Sequence, residues 1–304
     1  MSYLMKPMSY VLVIVLGYML KRTGFLRRDD QKILSKIMFN VTLPCTIIQG
    51  FAEFERDTSL FFLAVLGFLF TLIPVIYMYA TSSGASKALR AYRMVNISGY
   101  NIGCFSLPLI EAFFGGTGVV VSCLFDAGNA VMMTAGIYAL TSTMLKTGGK
   151  RESAKDVLMK FVSSMPFDTY MVLFALILLN IRIPGFVFEL TRPAGQANGF
   201  LAMLIIGIMF EPMGDRLLIR ETAREMAYRM VFSAVTAALC YYLLPYSLIV
   251  RQTLVVLCFA PLGSLAPINT ERCGGDTALA SFTNSISIAI SLVCMMALSM
   301  AFMA

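Results

Sequence analysis

The chain of 304 residues is 58% hydrophobic and 13% charged, with a mean hydropathy of +0.78, well outside the range of soluble globular domains. Its net charge of +7 would suit nucleic acid in a soluble protein, but the basic residues cluster between apolar runs, where they govern membrane orientation instead. Histidine is absent, which excludes histidine-based catalysis, histidine metal ligation and a simple histidine pH switch.

About twenty apolar residues span a bilayer as helix, and ten such segments are predicted: 5–22, 33–52, 59–81, 94–114, 118–143, 167–183, 196–213, 226–245, 247–268 and 277–303. No alternating strand pattern competes, so the predicted class is an all-α polytopic membrane protein. The first run follows Lys6, ends in Lys21 and Arg22 and lacks a small-residue cleavage motif, so it is expected to be a retained span. The second contains NVTLPCTIIQG (40–50), in which Pro44 removes a backbone donor and can kink the helix. Pro74 falls within the third span and Pro212 near the end of the seventh. The fourth reads NISGYNIGCFSLPLIEAFFGG (96–116), and the fifth carries Asp126, with Asn129 about one turn on. Between the fifth and sixth spans, the polar stretch KTGGKRESAKDVLMK (146–160) marks a linker, and Val157, Leu158, Phe161 and Val162 fit a short interfacial helix. The patch RLLIRETAREMAYR (216–229) before the eighth span reads as a solvated or headgroup-facing helix. No Arg or Lys is then expected deep in any span. The ninth segment contains LCFAPLGSLAPINTERCGG (257–275).

Nineteen of the 24 Lys and Arg residues fall in alternate loops on one side, and Lys6, Arg56, Arg182, Arg192 and Arg251 fall on the other. The rich side is expected to be cytoplasmic, with both termini outside. Pro7 and Pro166, Pro108 and Pro267, and Gly115 and Gly274 are each 159 positions apart. Five spans per half put the second half in from the opposite side. The expected organisation is two inverted five-span repeats, 1–146 and 166–304, joined by a linker at 147–165.

The fourth and ninth segments are interrupted at corresponding places in the two halves. Unwound backbone in a bilayer is tolerated where it lines a cavity or is buried in protein, and such paired interruptions mark a carrier's binding site. Asn96, Ser98, Gly99, Asn101, Gly103 and Ser106 around Pro108, and Pro261, Gly263, Ser264, Asn269 and Thr270 around Pro267, are too polar and too rich in glycine for lipid-facing helix. Freed N–H groups and the positive end of a half-helix favour an anion, while freed carbonyls suit a cation such as Na⁺. The competing reading is tight helix crossing over small residues. Asp126, an intramembrane carboxylate, is a functional candidate: it can carry a proton, coordinate Na⁺ or bond to a neighbouring interrupted helix. Glu111 and Glu271 lie near the ends of the broken spans, where headgroup exposure is expected. The seven cysteines are scattered through apolar runs without a CxxC, as packing thiols are. No metal or other cofactor and no catalytic residues are predicted, because no HExxH, GxGD pair or Ser–His dyad occurs.

Asn101-x6-Pro108-Leu109-Ile110 with Phe114-Gly115, Pro261-x-Gly263-x3-Pro267, Pro166, the turn Arg182-Ile183-Pro184 and the fifth-span Asp126 together resemble the auxin efflux carrier family of membrane transport proteins, over essentially the whole chain. The resemblance implies a crossover fold shared with bile-acid/sodium symporters. A scaffold of spans one, two, six and seven (about 5–52 and 167–213) would form a homodimer. A mobile transport domain of spans three to five and eight to ten (about 59–143 and 226–303) would cross at Pro108 and Pro267. It further implies a secondary carrier of a small mono- or dicarboxylate, working by an elevator motion, coupled to H⁺ or Na⁺, in the inner membrane of a bacterium. On that reading Asn101, Gly103, Pro108, Ser264, Pro267, Asn269 and Thr270 hold the substrate. Asp126 and Asn129 are coupling candidates, and Asn96, Gly99, Pro261 and Gly263 belong to the broken helices. A membrane receptor that binds a small carboxylate without moving it is the alternative on the same fold.

Overall fold

In hydrocarbon every peptide group needs a partner within the protein, and helices supply partners locally. Among the described residues of this computed structural model, every regular element is helical. The structure describes residues 2–52, 58–147, 165–179, 181–210 and 216–303. The interfacial helix expected around 157–162 lies outside them, as do Arg56 and Pro212.

Helix α1 runs Ser2–Arg22 and ends on Lys21 and Arg22, cations that suit the negative end of the helix dipole. Helix α2, Gln31–Gly50, widens into a π-helical turn at Met38–Thr42 immediately before Pro44, so the proline's missing donor falls in the first turn of the resumed segment. Helix α3, Phe62–Thr81, carries Pro74 in its interior. Helix α4, Lys87–Asn96, opens on Ser86, whose hydroxyl accepts from the Leu89 amide at 3.3 Å. The run α5, Ile102–Leu145, is divided at Gly115, where φ is 60°, at the point where the fourth predicted span gives way to the fifth. Then follow α6 (Met165–Leu178), α7 (Gly185–Met209), α8 (Arg216–Leu243), α9 (Leu248–Leu257), α10 (Ala266–Arg272) and α11 (Thr277–Met303).

Five of these runs are long and apolar enough to cross a bilayer: Gln31–Gly50, Ser59–Thr81, Ile102–Leu145, Leu218–Leu243 and Thr277–Met303. Large apolar side chains also face outward, among them Leu12, Phe186, Leu190, Tyr242, Leu243 and Val293, each more than 60% exposed. Water would penalise that surface and lipid does not, so composition and fold agree on an integral membrane protein.

Several predicted boundaries move. The helix expected to begin at 94 starts at Lys87 and stops at Asn96, and the ninth segment is helical only to Leu257 before it resumes at Ala266. The patch 216–229 is not a separate solvated helix but the first half of α8, with Thr222, Glu225 and Arg229 buried. The expectation that no Arg lies deep in a span is therefore wrong. Periodic contact of α8 with its neighbours, rather than average polarity, decides which of its charges are enclosed.

Glycines set the closest helix approaches. A Cβ on Gly67 of α3 would strike the Phe125 carbonyl, and one on Gly128 of α5 would strike the Ala64 carbonyl. Gly17 of α1 and Gly207 of α7 meet in the same reciprocal way, against the Leu204 and Ile14 carbonyls. Where lipid is as apolar as leucine, such backbone-to-backbone contact is a main source of association. Thr46 Oγ1 and Gln49 Nε2 of α2 add bonds to the Gly195 and Phe188 carbonyls of α7, at 2.9 and 2.6 Å. Gly128→Val forces α3 and α5 apart and is expected to destabilise the protein by about 3 kcal/mol or more. Thermal melting of the purified variant measures this.

Candidate functional site

Both segments that the sequence marks as interrupted leave the helical ladder. The first is 97–101, between α4 and α5, and the second is 258–265, between α9 and α10. Gly99 makes the first turn with φ 83°, a conformation costly for other residues. In both cases the helix resumes with proline in its first turn, Leu107-Pro108 after a π-helical lead-in (Ile102–Ser106) and Ala266-Pro267 directly. Gly115 and Gly274, 159 residues apart, end the arms that follow with positive φ of 60° and 76°.

The two stretches touch. The Asn101 amide donates to the Pro261 carbonyl at 2.9 Å. Met133, in the π-helical turn Met132–Gly136 of α5, lies between them: a Cβ on either Gly99 or Gly263 would run into its side chain. Each stretch is then satisfied by side chains. Asn129 clasps the Tyr100 peptide, its Oδ1 accepting from the Tyr100 amide at 3.0 Å and its Nδ2 donating to the Tyr100 carbonyl at 2.8 Å. The same Nδ2 donates to Asp126 Oδ1 at 2.8 Å, and Thr71 donates to Asn129 Oδ1 at 3.2 Å. Ser98 donates to the Thr71 carbonyl, and Ser287 Oγ accepts from the Leu262 amide at 3.1 Å. From α8, Arg229 donates to the Ile97, Gly99 and Ala260 carbonyls at 3.1, 2.8 and 2.9 Å, with the Tyr100 ring centroid 5.2 Å from its guanidinium.

A cavity of about 300 Å³ opens beside this junction. Asn101, Gly103, Asp126, Asn129, Gly263 and Ser264, all singled out from the sequence, line it. Tyr100, Cys104, Met133, Thr134 and Tyr170 complete the polar and polarisable part of its wall, and Phe39, Leu43 and Pro166 an apolar part. Ser264 is exposed at its edge, and Asp126 is half-buried. The lining residues Ile102, Gly103 and Cys104 open a resumed helix, whose first-turn amides lack intrahelical acceptors.

Other expected site residues serve the junction from behind. Asn269 is buried and donates to the Met133 carbonyl at 3.3 Å. Thr270 accepts from Asn96 Nδ2 at 2.9 Å and donates to the Ala266 carbonyl at 2.8 Å. Pro108 is buried, Pro267 half-buried, and Pro261 contributes its carbonyl to Asn101. Glu271 is exposed, as expected, whereas Glu111 is half-buried on a separate cavity of about 480 Å³ with Tyr10, Gln49 and Gln196.

Sequence reasoning missed Arg229, Met133 and Tyr100. The arginine had a readable signal, since it lies about one turn beyond Glu225 in a run that continues directly into apolar helix. Removal of the Asn129 side chain leaves a buried peptide group and Asp126 short of partners. Asn129→Ala is expected to cost about 2–3 kcal/mol, read as a lower melting temperature.

Comparison with known proteins bears on what this junction serves. An uncharacterized transporter of Methanothermobacter thermautotrophicus is 26% identical over 301 residues, covering 94% of each chain. An uncharacterized transporter of Methanocaldococcus jannaschii is 23% identical over 248 residues, covering 77% of this chain and 78% of the relative. Both relatives are archaeal. The family model described as membrane transport protein matches residues 3–299. With interrupted apolar helices meeting beside a shared cavity and a match of that extent, the chain belongs to the membrane transport protein family, the auxin efflux carrier family.

Proposed function

We propose that this membrane transporter is a secondary carrier of a small organic anion, a mono- or dicarboxylate, bound in the cavity beside the two interruptions. The observation that carries the reading is that one cavity takes Asn101 from one interruption, with Gly103 just beyond it, and Gly263 and Ser264 from the other. In this reading the chain crosses the cytoplasmic membrane ten times as two inverted five-span repeats, both termini outside, and the interruptions are the mid-membrane crossing. The matched offsets of Pro108 and Pro267 and of Gly115 and Gly274 support the repeat. The crossing region moves, with spans three to five and eight to ten, against a dimeric scaffold of spans one, two, six and seven.

The chemistry favours an anion held by dipoles. Asn101, Ser264 and the first residues of the resumed helix carry donors and line a cavity with no Lys or Arg among its described lining residues. A volume of about 300 Å³ is at the small end for ligand sites, which suits a compact acid. Asp126 sits in the same wall, and as a carboxylate it repels an anionic cargo. Protonation removes that repulsion, so cargo and proton bind together, and Asp126 becomes the coupling group.

Two variants test this. The hydrogen bonds that Asn101 makes to Pro261 and Ser106 run through its main chain. Asn101→Ala therefore keeps the junction and is expected to abolish saturable uptake of labelled organic acids into proteoliposomes without lowering the melting temperature. Normal uptake by that variant removes Asn101 from the site. For the wild type, uptake increases as pH falls on the side of substrate entry, because the protonated form of Asp126 accepts the anion. Asp126→Asn is expected to retain counterflow while losing both that pH dependence and accumulation driven by a pH gradient. A variant that still accumulates substrate against its gradient would falsify the coupling role.

A further inference from the structure

Arg229 lies deep in α8, its residue only 2% exposed, and its guanidinium donates to three main-chain carbonyls. Ile97 and Gly99 belong to the first interruption, just past the end of α4, and Ala260 to the second, just past the end of α9. Helix dipoles make both of those ends negative. A knot of carbonyls freed at the C-terminal ends of two half-helices is the oxygen-rich environment in which carriers of this general build coordinate a small monovalent cation. Here a covalently attached cation fills it. Burying a guanidinium costs several kcal/mol unless its donors are used and its charge is balanced. The three carbonyls accept from both terminal nitrogens, the Tyr100 ring centroid lies 5.2 Å away and Glu225 is buried one turn back on the same helix, so part of that cost is offset, while Nε has no partner among the described residues.

We infer that Arg229 is a resident cation: it bridges the two interruptions in the place a sodium ion would take, so the junction holds and cycles without sodium. The consequence for transport rests on the carrier reading above; the structural role does not. Arg229 is a positioning residue, since it touches the backbone behind the cavity and is not among the cavity's lining residues.

The test begins with purified protein and no substrate, with melting followed by a thiol-reactive dye at constant ionic strength. For the wild type, replacing N-methylglucamine with sodium is expected to leave the melting temperature unchanged. Arg229→Ala is expected to melt about 10 °C lower and to recover a large part of that loss on addition of sodium or low concentrations of guanidinium. Choline should not rescue it. Arg229→Lys keeps a cation and is expected to melt well above Arg229→Met, which keeps only bulk. A sodium-specific rise in the wild type, an Arg229→Ala variant that melts normally or ignores both small cations, or equal melting of the Lys and Met variants would each overturn the proposal. Should Arg229→Ala fail to fold, the wild-type titration and the Lys and Met pair still decide.

Uptake of organic acids by wild-type proteoliposomes is then measured with sodium replaced by N-methylglucamine. An unchanged rate is expected, and a rate that collapses without sodium overturns the inference. If no carboxylate is taken up at all, the carrier reading fails while the melting results stand, so the two failures are distinct.

Discussion

The rest of this structure depends on one constraint: a peptide group that leaves the helical ladder inside hydrocarbon has to find a partner in the protein. Two stretches leave the ladder, and nearly every notable polar contact around them follows. Asn129 gives the Tyr100 peptide both a donor and an acceptor. Ser287 accepts from Leu262, and the stretches bond directly through Asn101 and Pro261. Arg229 takes three carbonyls at once. The cavity beside them is thus backed by backbone that is already largely paired.

Packing and polarity cooperate at the junction. Gly99 and Gly263 leave room for Met133, whose flexible thioether fills the space between the two non-helical stretches. The Met133 carbonyl, freed in a π-helical turn, then accepts from Asn269. Asn96 and Thr270 tie α4 to α10 just behind. These contacts hold the cavity wall in one geometry, as donors that are to recognise a small anion by direction must be held. Farther away, reciprocal glycine contacts between α1 and α7 and between α3 and α5 set the helix spacing.

Charge is divided by depth and by face. Lys32 pairs with Asp29 at 2.7 Å on an exposed segment, where such a pair contributes little. Arg93 and Glu221, at 3.0 Å, are mostly enclosed between α4 and α8. Glu225 and Arg229 are deeper still. A single face of α8 thus carries charge from the exposed ends inward to the junction. That face ends on Arg229, a fixed positive charge behind a cavity whose own ionisable wall includes Asp126.

The sequence by itself determined that this is an all-helical membrane protein, because the length of each apolar run and the need to pair backbone groups leave no other solution. It also located the interruptions, since proline and glycine within apolar segments act locally, and six of the residues it singled out line one cavity. Only the tertiary structure decided what each polar residue faces. Asn269 and Thr270 were expected at the site from their place beside the second interruption, and the tertiary structure pairs them with the Met133 carbonyl and with Asn96. Arg229 looked like part of a solvated patch, and the packing of α8 against both interruptions encloses it. Burial depends on which face of a helix meets a neighbour, and for Arg229 those contacts reach residues 31, 130 and 132 positions away, beyond the reach of any local pattern.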